Sequence, residues 1–329
     1  MMTIDTLLER SQRYDAAKED YTIDTDDIAY LVDENACKVV FPGGLFGSVG
    51  HVPSDHALAQ ICQKLKVPPT RYMRHCPPEL RATNLNYWQR SMGNNRWFIR
   101  TYGGTVRGVL SDQYVPLDNS EILETVAAIF KGDHITHYRL IRPHVSADSM
   151  WVRILLRDQV GDNYGIGIVI GNDEIGRGSC KVLPFVQRHS CTNSTVWQEG
   201  GYEQRHIGRR AREAMRRQTW RVQMKSAILD GLRASATMYK QVLQAEEERL
   251  PNIADFISGL ADTHRWNDHV RDTVLLGTEG EQTRMGVVNG LSFAAHSAEN
   301  VNDDIRQMLE LLSGKVLMQP YVSGRQLFN

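Results

Sequence analysis

Residues 97–110 read WFIRTY-GG-TVRGVL, two runs of apolar, aromatic and β-branched residues joined by a pair of glycines. The pattern predicts a β-hairpin, because Gly103 and Gly104 supply the positive φ angles that a two-residue hairpin turn requires. Strand-like runs follow at residues 135–141, 150–157, 164–170 and 180–188. No helical pattern of about ten residues separates one of these four runs from the next, which favours antiparallel pairing. The sequence therefore predicts a central antiparallel sheet.

Helical patterns flank the predicted sheet on both sides. Upstream, Ser54 is a suitable N-cap for a helix over residues 55–65, and Pro77-Pro78 suits the start of a helix that runs to about residue 90. Downstream, residues 203–249 have the pattern of one long helix, which Pro251 ends, and Gly208 and Gly231 are candidate sites for a kink or break in it. Residues 21–52 are predicted to be irregular, apart from a possible strand at 37–41.

The predicted fold class is α+β. Shorter helices are expected over residues 2–14, 121–130, 281–298 and 302–313 and from Asn252, with Gly314 at the end of the last one. Three regions result: a mainly helical one over residues 1–92, an antiparallel β core over 93–200, and a long basic helix with C-terminal helices over 201–329.

The chain is nearly neutral, but its charge is unevenly spread. Its 329 residues include 38 Lys or Arg and 39 Asp or Glu, for a net charge of −1. Residues 205–225 carry eight bases against one acid, a net charge of +7, whereas residues 1–40 carry four bases against ten acids, a net charge of −6. Such a concentration of positive charge is typical of a surface that meets a polyanion.

On a helical wheel, the arginines of this basic segment lie on one side and its apolar residues on the other. Trp220 falls inside the arginine sector, where an exposed ring would stack on bases beside phosphate contacts. Basic and aromatic residues also alternate in and beside the hairpin, at Arg96, Trp97, Arg100 and Tyr102. The candidate nucleic-acid-binding residues are thus Arg96, Arg100, Tyr102, Arg205, Arg209, Arg210, Arg212, Arg216, Arg217, Trp220 and Arg221. The alternatives are that the arginines form a solvated face, or pair with acids of a neighbouring subunit, since both ends of the chain are acidic. Trp220 would then pack against a neighbouring side chain.

Catalytic patterns in the sequence are incomplete. Four acids, Asp112, Asp118, Asp173 and Glu174, are candidates for a metal-dependent nuclease cluster, although each stands where acids are common: a strand end, a helix cap or a turn. His189 and Cys191 share one face if the strand before them continues, as a base and a nucleophile would. No glycine pattern matches a phosphate-binding loop, and no cofactor is predicted.

Three ordered segments resemble the hallmarks of the domain of unknown function 932 family, described as phage/plasmid-like proteins. They are residues 106–119 (VRGVLSDQYVPLDN), 171–179 (GNDEIGRGS) and 188–193 (RHSCTN), and the run GVVNG at 286–290 adds to the likeness. The resemblance covers roughly residues 55–315. It implies an origin in a mobile element, and it says little about chemistry.

The predicted function is the binding of single-stranded nucleic acid, which we expect to be DNA with RNA as the alternative, without catalysis. By analogy with phage proteins that anneal single strands, the chain is expected to form a homo-oligomer, either a ring or a filament, and to act in recombination. The alternatives are a metal-dependent nucleic-acid-processing enzyme and a protein-interaction or anti-defence protein. The chain contains no apolar run of about 18–20 residues and no secretory apolar segment at its start, so we expect no membrane contact and a cytoplasmic location.

Overall fold

The computed structural model describes residues 2–43, 47–67, 70–160, 164–188, 194–196, 201–297 and 303–319. In chain order these residues form α1 (Ile4–Asp15), β1 (Lys18–Asp24), β2 (Ala29–Asp33), β3 (Ala36–Pro42), β4 (Ser48–Pro53), α2 (Asp55–Leu65), α3 (Thr70–His75), α4 (Pro78–Ser91), β5 (Arg96–Tyr102), β6 (Thr105–Ser111), α5 (Asn119–Gly132), β7 (Tyr138–Val145), β8 (Ser149–Val160), β9 (Tyr164–Asp173), β10 (Cys180–Arg188), β11 (Ser194–Val196), β12 (Tyr202–Gln204), α6 (Arg209–Arg216), α7 (Thr219–Glu247), α8 (Ile253–His264), α9 (Asp268–Leu276), α10 (Arg284–Ser297) and α11 (Asp303–Met318).

The first sheet is built from β1 to β6, in the order β1-β5-β6-β4-β3-β2. Neighbouring strands are antiparallel except for β4 and β6, which are parallel. Helices α2 and α4 pack against it around a core that includes Phe41, Ile61, Leu85 and Ile99. The predicted hairpin thus lies in the middle of a mixed sheet.

The second sheet is antiparallel, in the order β11-β10-β9-β8-β7, with β12 also paired to β10. Side chains alternate between its two faces along each strand. Val152 of β8 lies in a core formed with α1, α5, α6 and α7. The adjacent Trp151 lies in a different cluster, against which Leu311 of α11 packs. Helices α7 to α11 form a further core around Val242, Leu260 and Leu291, to which Tyr164 of β9 and Val186 of β10 also belong.

The α+β class is confirmed, and so are several elements. Ser54 caps α2, and its hydroxyl accepts a hydrogen bond from the Ala57 N–H. The hairpin, α4, α5 and α8 lie where their turn and cap residues indicated, and β10 has the predicted bounds. Among the described helices, none has the length and apolar character that crossing a membrane requires.

The prediction of a mainly helical region over residues 1–92 is wrong in part. Four strands, β1 to β4, lie within 18–53, and β1 pairs with β5 from Lys18 opposite Tyr102 to Asp24 opposite Arg96. The first sheet therefore crosses the boundary expected between residues 92 and 93. The strand expected at 37–41 is confirmed as β3. The pattern does not reveal β1 and β4 because both are only partly buried, and β1 also carries charged residues.

The prediction of one helix over residues 203–249 is also wrong. The segment begins with β12 and continues with the eight-residue helix α6; then Gln218, in the left-handed conformation at φ 54°, separates α6 from α7. Gly231 does not interrupt α7: a Cβ there would stand 3.0 Å from Ile168 Cγ2, so glycine allows the helix to approach the second sheet closely. Gly314 likewise lies within α11 and does not end it.

Candidate functional site

Helix α6 presents arginines on its outer side. Its inner residues Ala211 and Ala214 are buried, and Ala214 belongs to the core on one face of the second sheet. Arg209, Arg212 and Arg216 are exposed and fall within about 60° of one another around the helix axis. The periodicity of the sequence is thus realised over α6, and three guanidinium groups lie along one exposed stripe.

The arginines of this segment differ in their partners. Arg217 pairs with Glu213 at 2.9 Å, and Arg221 lies 4.0 Å from Glu124. The remaining five form no ion pair with a carboxylate of the described residues, and all five are exposed. We call these five the arginine surface; they are Arg205, Arg209, Arg210, Arg212 and Arg216. Such a cluster of unpaired like charges is stabilised when an anion binds it.

The N-terminal end of α6 adds to this positive charge. Gly208, at φ 105°, precedes the helix, no side chain caps it, and its first turn contains no acid but begins with Arg209 and Arg210. The positive end of a helix dipole ordinarily attracts acidic side chains, and here it meets two cations. Backbone N–H groups at such an end suit the binding of phosphate oxygens.

Trp220 does not take the exposed position that the helical wheel predicted. Its side chain is only 3% exposed and packs in the core with Met224 and Ile228. The prediction failed because the left-handed Gln218 resets the helical phase between α6 and α7. Arg221 covers the ring, with its Cζ atom 5.3 Å from the centroid. Trp220 is therefore a core residue and offers no face to a base.

The hairpin adds little to the arginine surface. Arg100 is fully buried, and its guanidinium donates to Asp20 and to Asp118, which overturns its expected role as an exposed contact. Trp97 is buried as well. Tyr102 is half-buried and packs edge-on against Tyr14, with 6.0 Å between ring centroids.

Arg96 is the hairpin's exposed candidate. It lies at the start of β5, and its Nε is 3.3 Å from an oxygen of Asp24. A loose pair between two exposed side chains contributes little stability and opens easily. Arg96 can therefore still contact a phosphate, although one carboxylate competes for it.

Three of the four candidate metal-binding acids are occupied by bases or backbone donors. Asp118 accepts from Arg100, and Asp173 accepts from the backbone and side chain of Arg177. Glu174 is fully buried and accepts from Lys18 and Arg107, while Asp112 is exposed in a turn. Within the described parts of the chain, no three His, Cys, Asp or Glu side chains converge as a metal site requires. Asp118 and Glu174 belong to a buried charge network with Arg100 and Arg107.

The basic half of this network is not among the residues that the sequence patterns single out. Lys18 of β1 and Arg107 of β6 hold Glu174 at 2.8 Å each, and Asp20 of β1 holds Arg100 at 2.9 Å. Arg107 has a signal in the sequence, because it interrupts an otherwise apolar strand, TVRGVL. A charged residue at such a position is buried only with a partner.

The network shifts the pKa values of its acids in opposite directions. Burial acts to raise the pKa of Asp118, but the charges of Arg100 and Lys18 outweigh it, and the pKa is lowered. For Glu174, burial and then the charge of Asp118 raise the pKa despite the three cations around it. Asp118 and Glu174 thus share one set of cations. Because these cations are buried, leaving them without a counter-charge would lower the stability of the protein.

Two of the three motifs behind the family resemblance meet in space. Asn172 donates through Nδ2 to Leu117 O at 3.0 Å and to Asn119 Oδ1 at 2.9 Å. His206 completes the contact, since its Nε2 lies 3.1 Å from Asn172 Oδ1 and its ring stacks on Tyr114 at 5.2 Å. The motifs at 106–119 and 171–179 therefore hold the two sheets and the start of α6 together. His189 and Cys191, in the third motif, lie outside the described residues.

Comparison with protein-family models, with curated proteins and with solved structures found no match to this chain. The resemblance carried by the three motifs therefore stays a prediction.

Proposed function

We propose that the protein binds single-stranded nucleic acid through the arginine surface of α6. The observation that carries the proposal is a set of five exposed arginines without a carboxylate partner among the described residues, in a segment of net charge +7. Guanidinium groups recognise phosphate through paired N–H donors, and helix N-terminal N–H groups do the same. Phosphate contacts alone make the binding independent of base sequence.

The arginine stripe spans about 10 Å along the helix, and Arg210 lies on another side of it. A single strand that runs along this stripe would bring successive phosphates against its guanidinium groups. The burial of Trp220 and Trp97 removes stacking from the interaction at these positions, so affinity is expected to come from charge.

A binding assay with a matched control tests this proposal. Arg209→Gln/Arg216→Gln removes two unpaired charges from one face of α6, whereas Arg217→Gln/Arg221→Gln removes two arginines that already lie near acids. Both double variants change the net charge equally. For a fluorescent single-stranded oligonucleotide we expect the first to weaken binding by about tenfold or more, and the second by about threefold or less. Equal losses would mean that only net charge matters, and no binding by the native protein would refute the proposal.

The second candidate is that the arginine surface pairs with acids of another subunit. It is favoured by exposed acids of the first sheet's outer loops, including Asp26, Asp27 and Glu34. Head-to-tail contacts of this kind repeat into a ring or a filament, as strand-annealing proteins form. Light scattering on the same two double variants separates the candidates, because loss of assembly with unchanged oligonucleotide binding assigns the arginines to the subunit contact.

Annealing is a further step that the binding assay leaves open. Two complementary labelled strands, mixed with the native protein, should pair faster than without it if the protein acts as an annealing protein in recombination. Release of shortened products with Mg²⁺ or Mn²⁺ would instead favour the alternative of a metal-dependent enzyme.

A further inference from the structure

An open groove lies beside the arginine surface, between β12 and α7. Its volume is about 400 Å³, which falls within the range of about 300–1,000 Å³ that small-molecule sites have. Tyr202 and Gln204 line one wall, and they share a face of β12 because they are two residues apart. Gln204 directly precedes Arg205, so the groove begins where the arginine surface begins.

The second wall of the groove is a single stripe of α7. Gln223, Ala227 and Asp230 are spaced by four and three residues, so they lie one above another along the helix. Ala227 is buried in the core beneath α7, and it gives the groove an apolar floor. Ser226 adds a hydroxyl group, which donates to Asp230 Oδ2 at 3.1 Å. The groove thus combines an apolar floor with polar walls.

The polar groups of the walls keep hydrogen-bonding capacity for a ligand. The Tyr202 hydroxyl lies 3.3 Å from Gln204 Oε1 and 3.5 Å from Gln223 Oε1. The Nε2 group of Gln223 donates to no acceptor in the described parts of the chain, so it can donate to a ligand. Asp230 pairs with Arg233 at 3.0 Å, but a carboxylate has about four acceptor positions, so it can accept a further hydrogen bond.

The charge of the groove differs from that of the arginine surface. Asp230 is the one charged residue among the described residues that line it, and Arg233 balances that charge. A phosphate would therefore meet a carboxylate in the groove, whereas on α6 it meets guanidinium groups. A nucleobase is neutral and has donors and acceptors on its edge, as the amide and carboxylate of the groove require, and an aromatic side chain such as Tyr202 suits its flat face.

We propose that this groove binds one nucleobase of the strand whose phosphates contact the arginine surface. The inference rests on the proposed function of α6 and adds a base contact to it. A base with an exocyclic amine can donate to Asp230, and its ring nitrogen or carbonyl can accept from Gln223 Nε2. Cytosine has such an amine at the position where thymine has a carbonyl oxygen. We therefore expect the protein to prefer cytosine to thymine.

Two fluorescent strands of equal length, oligo-dC and oligo-dT, test the groove at neutral pH and constant salt, because they share a phosphate backbone. The native protein should bind oligo-dC about fivefold or more tightly than oligo-dT. Asp230→Asn keeps the size of the side chain but supplies an amide that can donate to the thymine oxygen, so it should remove most of this preference. Gln223→Ala/Asp230→Ala should remove it too, and the use of two variants covers a local folding defect in either.

Gln244→Ala/Glu247→Ala is the matched control. It removes a glutamine and an acid from exposed positions of α7 that do not line the groove, and it changes the net charge as Gln223→Ala/Asp230→Ala does. The control should keep the native preference for oligo-dC.

The outcomes separate the groove from the arginine surface. Equal affinity of the native protein for the two strands would overturn the base site, as would a preference that survives in both Asp230 variants or disappears equally in the control. If Arg209→Gln/Arg216→Gln still weakens the binding of both strands in that case, the proposed function of α6 stands without the groove. Binding of neither strand by the native protein would refute both proposals.

Discussion

Arg107 of the first sheet donates through Nη1 to Glu174 Oε2, at the end of β9 in the second sheet, at 2.8 Å. The carboxylate is fully buried and also accepts from Lys18 Nζ at 2.8 Å and from the backbone N–H of Asn119 at 2.8 Å. One side chain therefore joins β1, β6 and the start of α5 to the second sheet. The ion pair between Arg107 and Glu174 thus helps to fix the position of the first sheet relative to the second.

Replacing Glu174 should therefore destabilise the whole protein. Glu174→Ala removes the buried carboxylate that Lys18 and Arg107 share and leaves them with the partly exposed Asp15 and Asp148, and we expect it to lower the free energy of unfolding by about 3–5 kcal/mol. Asp112→Ala, at an exposed turn, should cost about 0.5 kcal/mol or less. Urea unfolding of both variants measures the difference. Similar costs at the two positions would contradict a joining role for Glu174.

Replacing Trp220 should lower the stability of the protein without changing its affinity for nucleic acid. Trp220→Ala empties part of the core beneath α7 and should lower the free energy of unfolding by about 3–5 kcal/mol. Trp220→Phe keeps most of the apolar contact, so it should fold and bind a single-stranded oligonucleotide as the native protein does. If the folded Phe variant loses affinity by about tenfold, which is about 1.4 kcal/mol, the ring contacts bases in spite of its burial.

Acid should destabilise the protein through His296. Its pKa in the folded protein, about 3, lies below the value of 6.5 that the unfolded chain is expected to have, because the ring is buried among Arg142, Arg153 and Arg306, with Glu310 alongside. At a pH between these two pKa values, the His296 ring therefore takes up a proton when the protein unfolds. The contribution of His296 to stability is complete above about pH 6.5 and is lost as the pH falls toward about 3.

His296→Gln tests this linkage. In phosphate-free buffer, the free energy of unfolding of the native protein should fall with decreasing pH more steeply than that of the variant, by roughly 1.4 kcal/mol per pH unit below pH 6. His75→Gln, at an exposed position, is the control. Parallel pH profiles for the native protein and His296→Gln would show that folding does not lower the pKa of the His296 ring.

Local signals in the sequence predicted local structure well. The glycine pair at 103–104 predicted the hairpin correctly, because the geometry of a two-residue turn depends only on the turn residues themselves. Ser54 predicted the start of α2, because a capping side chain acts within the first turn of its helix. The apolar run of β3 also indicated a strand, whereas β1 is not apparent in the sequence because its charged residues break the apolar alternation. The charges on β1 find partners in distant segments, as Lys18 does with Glu174.

The candidate site was predictable only in part, for a similar reason. The arginine stripe of α6 follows from helical periodicity over eight residues, but a wheel extended past Gln218 misplaced Trp220, since neither glycine nor proline marks the left-handed residue. Arg100 looked like a surface cation because its partners, Asp20 and Asp118, lie 80 and 18 residues away in the chain. Arginines inside apolar strands, such as Arg107 and Arg153, are the sequence signal for buried charge.

The salt dependence of oligonucleotide binding tests the role of the arginine surface most directly. Each phosphate that an arginine neutralises releases condensed counterion, so the logarithm of affinity for a single strand falls against the logarithm of salt concentration with a slope of about −0.7 per contact. Arg209→Gln/Arg216→Gln should make the slope shallower by about 1.4, and Arg217→Gln/Arg221→Gln should change it by about half of that or less. If both double variants keep the native slope, the arginines of α6 do not contact phosphates and the proposed function is wrong.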